Sequence, residues 1–164
     1  MIAVLKRLDR ALARIERAAV VLLLTTLLGL GLLQVLLRNL LAGGLFWVDG
    51  LLRHLVLWLG FLGASLATHD RRHLRIDVLV PLLPPWGQRS VSLLVNLSAL
   101  CVCLLLAHAA WVFVYSEYAA GTVLTFGVAA WLAQSIIPVG FLIMALRFAL
   151  RFLEALRQLG ERLR

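Results

Sequence analysis

Residues 18–37 read AAVVLLLTTLLGLGLLQVLL, twenty positions without a charge. A helix of that length rises about 30 Å, which matches the thickness of bilayer hydrocarbon. Three further apolar runs follow, at Val48–Ala67, Val91–Tyr115 and Trp131–Leu150. Polar or basic sequence separates each from the next. The pattern predicts an all-α integral membrane protein, with four transmembrane helices in a single membrane domain over residues 1–164. Composition agrees: 63% of the 164 residues are hydrophobic, whereas a soluble domain holds about 45–50%. Too little polar surface is left for a water-facing globule.

Charge then orients the spans. Lys6, Arg7, Arg10, Arg14 and Arg17 precede the first run. Arg71, Arg72, Arg75 and Arg89 fall between the second and third, and Arg147, Arg151, Arg157, Arg162 and Arg164 lie in or after the last turns of the fourth. The first loop has only Arg38 at its edge, and the third carries Glu117 and no basic residue. The positive-inside rule puts both termini and the 68–90 loop in the cytoplasm. The net charge of +8 is therefore a matter of topology, and no nucleic acid is expected as a partner. Residues 1–17 are too charged and too long for the start of a cleavable signal. They predict an N-terminal interfacial amphipathic helix, with Leu5, Leu8, Leu12 and Ile15 on one face and Arg10, Arg14 and Arg17 on another. Cys101 and Cys103, two apart, point to different sides of a helix and predict neither a disulfide nor a thiolate metal site.

Ionisable and small residues inside the runs carry the remaining information. In the second run Asp49 and Arg53 stand one turn apart and are expected to pair, with His54 on the neighbouring stripe. Gly60 with Ala64, and Gly63 with Ala67, form small-xxx-small steps that let helices approach closely. This helix is expected to be the packing centre. Trp47 marks its entry at headgroup depth. Pro138 near the start of the fourth run frees a carbonyl that a neighbouring helix is expected to satisfy. In the middle loop Pro81, Pro84 and Pro85 exclude a continuous helix, and an amphipathic segment near Ile76–Leu83 is expected on the membrane surface. The third loop, near Ser116–Ala130, looks flexible by composition.

These residues leave several function classes open. His54 and His108 lie at matching depths and suit axial ligation of haem in a small four-helix b-type cytochrome. Transport by this chain alone would need a polar midplane site, and the midplane is aliphatic. No phosphate loop, nucleophile elbow or other catalytic constellation is present. No enzyme activity, metal or cofactor is predicted. Besides membrane lipid, the chemistry points to a subunit that works on a protein partner.

A longer pattern runs through this region: Trp47-Val48-Asp49, Arg53, Trp58-Leu59-Gly60-Phe61-Leu62-Gly63-Ala64, His73-Leu74-Arg75-Ile76-Asp77-Val78-Leu79 and Leu82-Leu83-Pro84. It resembles the small membrane subunit, DctQ-like, of tripartite ATP-independent periplasmic (TRAP) transporters. The chain departs from that family in having Asp49-Gly50 where an acidic pair is common, and Ala129-Ala130 where a proline often precedes Trp131. The resemblance implies a four-span subunit of the bacterial inner membrane that braces a large TRAP permease subunit. It also implies sodium-driven symport of an organic acid delivered by a periplasmic substrate-binding protein. It marks Trp47, Asp49, Arg53, Gly60, Gly63, Ala64, His73 and Asp77 as structural or subunit-interface candidates. His73 and Asp77, four apart, are expected to lock the middle loop beneath the helices.

Overall fold

In a computed structural model, the described residues are 2–41, 45–70, 85–124 and 127–160. They form five helices: α1 (Ile2–Leu41), α2 (Phe46–Asp70), α3 (Pro85–Ala120), α4 (Ala130–Gln134) and α5 (Ile136–Gly160). Four stretches are long and apolar enough to cross a membrane: Arg7–Leu40, Trp47–Asp70, Val91–Ala120 and Ala130–Leu156. The expected four-helix membrane architecture is present. His73, Asp77 and the Ile76–Leu83 segment lie outside the described residues.

α1 runs for 40 residues without a break, so the segment expected to be a separate interfacial helix continues directly into the first span. At about 60 Å it is twice as long as the hydrocarbon core is thick. α3 starts on Pro85, where the missing N–H removes nothing from the helix ladder. It ends on Gly121, whose φ of +64° is a left-handed conformation that glycine adopts without a Cβ penalty. The described residues of the following loop are hydrogen-bonded, where composition suggested flexibility. Val123 bridges to Ala129, Ala130 N–H donates to Thr122 O at 2.9 Å and Leu124 N–H to Val128 O at 2.8 Å. Tyr118 and Trp131 stack edge to face with ring centroids 5.7 Å apart, fixing the end of α3 to α4.

The fourth span is two helices because of Pro138. Its ring conflicts with the carbonyl one turn earlier, at Gln134, and it has no N–H to offer there. The helix pauses at Ser135, whose N–H and Oγ both donate to Leu132 O, at 3.3 and 2.7 Å. Trp58 Nε1 on α2 donates to the carbonyl of Ala133 at 2.8 Å. A neighbouring helix thus satisfies a carbonyl at the break, as expected, one residue from the position the proline alone indicates.

The helices stand in the spatial order α1, α2, α5, α3. α5 is the hub, packing on α2, α3 and α4, whereas α1 and α3 form the two edges. This corrects the expectation that the second helix is the packing centre: 39% of an apolar 18-residue stretch of the fourth span is buried, against 6% of the corresponding stretch of the second. The core sits between α3 and α5, where Cys103, Met144 and Ala145 are buried beneath Phe61, Leu100, Phe141 and Phe148. Cys101 faces out and Cys103 in, as their spacing requires. The tight helix approach also differs from expectation. A Cβ at Gly140 would lie 2.8 Å from Cδ1 of Phe61, whereas one at Gly60 or Gly63 would meet nothing within 4 Å. The small residue that admits a neighbour is on α5, and the small-residue steps of α2 are open within this chain.

Candidate functional site

Arg147 lies on α5 one turn before the end of the fourth apolar run, and its side chain is only 3% exposed. A lone guanidinium there would be costly, so its donors must be met. Nε donates to Asp9 Oδ1 at 2.8 Å and Nη2 to Glu16 Oε2 at 2.7 Å, both on α1. Nη1 donates to the hydroxyl of Ser65 on α2 at 2.7 Å and to the Ser65 carbonyl. Ser65 Oγ in turn donates to Glu16 Oε1 at 2.9 Å. Glu16 and Ser65 are as buried as the arginine.

The cluster extends outward by one turn. His69 Nδ1 stands 2.9 Å from Asp9 Oδ2, and Arg151 Nη2 donates to the carbonyl of Thr68. At the rim, Arg17 Nη2 reaches Asp70 Oδ2 at 3.5 Å, both side chains exposed. The planar fork of arginine suits this role, because it bonds carboxylates on two edges while a third edge meets a hydroxyl. What the arrangement does is hold α1, α2 and α5 at one level. Every charge in it answers another within the chain, so it has no spare group for a substrate.

α1 shows why this end is easy to misread. Leu8 and Ile15, expected on the apolar face of an interfacial helix, are 62% and 67% exposed. The stripe turned toward the other helices is Asp9, Ala13 and Glu16. In a membrane, apolar side chains are at ease facing lipid, and paired charges go to the inside. The sequence offered one signal that was passed over: two carboxylates seven residues apart, hence on one helix face, in a segment otherwise basic.

The opposite end is built differently. Gln34 on α1 exchanges hydrogen bonds with Leu45, accepting from its N–H at 3.2 Å and donating to its carbonyl at 3.3 Å. Gln34 Nε2 also lies 3.5 Å from Asp49 Oδ1. No ion pair joins Asp49 to Arg53 among the described residues. Both are exposed, and they open a line of exposed positions along α2: Asp49, Arg53, Val56, Gly60 and Ala64. Their spacing of three to four residues is one helix stripe. Val48, Ser65 and Thr68 are its buried counterparts. Trp47, 42% exposed, stands beside the start of the line. Of the motif residues described, Trp47, Asp49, Arg53, Gly60 and Ala64 are thus gathered on the outside of the chain, with Gly63 half-buried next to them.

The haem geometry is not realised. α2 and α3 each pack on α5, which stands between them. His54 Nδ1 is 2.8 Å from the carbonyl of Gly50 in its own helix, and His108 faces outward beside the buried Ala107 and Ala110.

Comparison with known proteins gives one consistent result. Residues 27–158 match the family described as tripartite ATP-independent periplasmic transporters, DctQ component. A Haemophilus influenzae protein carrying the TRAP transporter small permease designation is 35% identical over 80 residues, covering 49% of this chain and 50% of that protein. The C4-dicarboxylate TRAP transporter small permease protein of Pseudomonas aeruginosa is 33% identical over 121 residues, covering 71% of this chain and 58% of that protein. The chain thus spans between half and three fifths of the length of these relatives.

Proposed function

The chain belongs to the DctQ component family of TRAP transporters, and we propose that it braces a large permease subunit through the exposed stripe of α2. The observation that carries this reading is the contrast between the two sets of polar residues. Arg147, Asp9, Glu16 and Ser65 satisfy one another. Asp49 and Arg53 lie exposed on a span, where an unmatched charge is costly against lipid. Gly60 and Ala64 below them leave room for another helix to come close. A charged pair of positions over a small-residue step suits a protein surface that supplies polar partners above and flat packing below. We assign to the assembled transporter the sodium-driven uptake of an organic acid delivered by a periplasmic binding protein; the C4-dicarboxylate in the name of the Pseudomonas relative supports an organic acid as the substrate class. The basic end faces the cytoplasm of a bacterial inner membrane in this reading, because arginines crowd that end and are sparse at the other.

Affinity capture of the tagged full chain from its native membranes, followed by mass spectrometry, tests the assignment. A large multi-span permease is expected among the proteins retained. A preparation with a Soret absorption band and no permease would contradict it. Liposomes holding this chain alone are expected to show no sodium-dependent uptake of a dicarboxylate, since no midplane site exists among the described residues.

A further inference from the structure

Arg7, Arg10, Arg14 and Arg17 repeat at three and four residues and so form one stripe of α1. With Ala13 and with His69 of α2 they line an open cavity of about 600 Å³. Asp9 and Glu16 are turned away from the stripe onto Arg147, and Asp70 meets Arg17. The same stripe continues beyond Arg17 through Val21, Leu24, Leu28 and Val35, which are 61%, 43%, 62% and 51% exposed. Its character changes at Ala18, where the first apolar run begins. One unbroken line on the protein surface is therefore cationic at the level of the membrane boundary and aliphatic through the hydrocarbon.

We propose that this stripe is a binding site for an anionic phospholipid, with its phosphate in the arginine-lined cavity and an acyl chain along Val21, Leu24 and Leu28. The guanidinium fork suits phosphate oxygens bidentately. Basic pockets against transmembrane helices are places where acidic headgroups collect. A free phosphate would use the cavity and leave the aliphatic half of the line unused; a phospholipid uses both. The edge position of α1, whose apolar stretch buries none of its residues, leaves that line open to lipid.

The test uses the full chain in zwitterionic detergent, together with any subunits that co-purify. Dioleoyl phosphatidylglycerol is titrated in, and bound lipid is read by native mass spectrometry against dioleoyl phosphatidylcholine. The parent is expected to retain phosphatidylglycerol at least tenfold more strongly. The Arg7→Gln/Arg14→Gln double variant is expected to lose on the order of tenfold in that retention, each basic residue contributing a several-fold factor. Arg38→Gln, at the opposite end of α1, is expected to leave it unchanged. Less than a twofold preference for phosphatidylglycerol in the parent would overturn the proposal, whether or not the double variant accumulates. So would equal retention by parent and double variant. Displacement of the lipid by millimolar inorganic phosphate would show a site for soluble phosphate and overturn the lipid assignment.

Discussion

The two ends of this molecule treat charge in opposite ways. At the basic end a guanidinium is buried, and its main partners come from the same chain: Arg147 is held by Asp9, Glu16 and Ser65 from two other helices. At the far end Asp49 and Arg53 are exposed and unpaired with each other. In a bilayer the first arrangement is self-sufficient, whereas the second needs a headgroup, water or another protein. The difference teaches which end the chain uses to hold itself together and which it offers to a partner.

Breaking the basic end should have the largest effect. Arg147→Met strands two carboxylates among α1, α2 and α5, and removing one partner of such a buried pair costs about 3–5 kcal/mol. Thermal unfolding of the purified chain is expected to shift down accordingly. Glu16→Gln alone should also destabilise. The Glu16→Gln/Arg147→Met double variant should fall short of the sum, because the second change relieves part of what the first leaves unmatched. Full additivity would mean that the two side chains do not share an interaction.

Packing gives a smaller effect and a sharper contrast between helices. Gly140→Ala pushes a methyl group to 2.8 Å from Phe61 and is expected to cost about 1–3 kcal/mol. Gly60→Ala meets nothing within the chain, so unfolding of the isolated chain should stay within about 0.5 kcal/mol of the parent, or improve slightly. The same Gly60→Ala change should weaken retention of the large permease. A loss of intrinsic stability at Gly60 equal to that at Gly140 would remove the distinction between an occupied and an open small-residue site.

Much of this was legible from the chain itself. The four spans follow from apolar runs of the length a bilayer requires, and the interruption of the fourth follows from Pro138. Cys101 and Cys103 separate as their spacing dictates. Only the shared face of Asp9 and Glu16 pointed to the buried cluster, because these acids lie in a segment whose five basic residues dominate any reading of charge, and because Arg147 falls 131 residues from Glu16. Gly60 and Gly63 misled for a related reason. A small-residue step shows that a helix can be approached, and says nothing about whether the approaching helix belongs to the same chain.

The smallest effects on the chain itself belong to the open end. Gln34→Ala removes the bonds to Leu45 and Asp49 and should cost about 1 kcal/mol. Asp49→Ala and Arg53→Ala should each change its stability by no more than about 0.5 kcal/mol. Because no ion pair links them, the double change should be additive in the isolated chain. Both are expected to reduce assembly with the large permease.

The most direct measurement of the central claim is site-specific photo-crosslinking in native membranes. One probe replaces Val56 on the open stripe of α2, and another replaces Leu105 on α3; the two are 56% and 70% exposed. The account predicts an adduct with a large multi-span permease from position 56 and none from position 105. A permease adduct from position 105, with none from position 56, would contradict it.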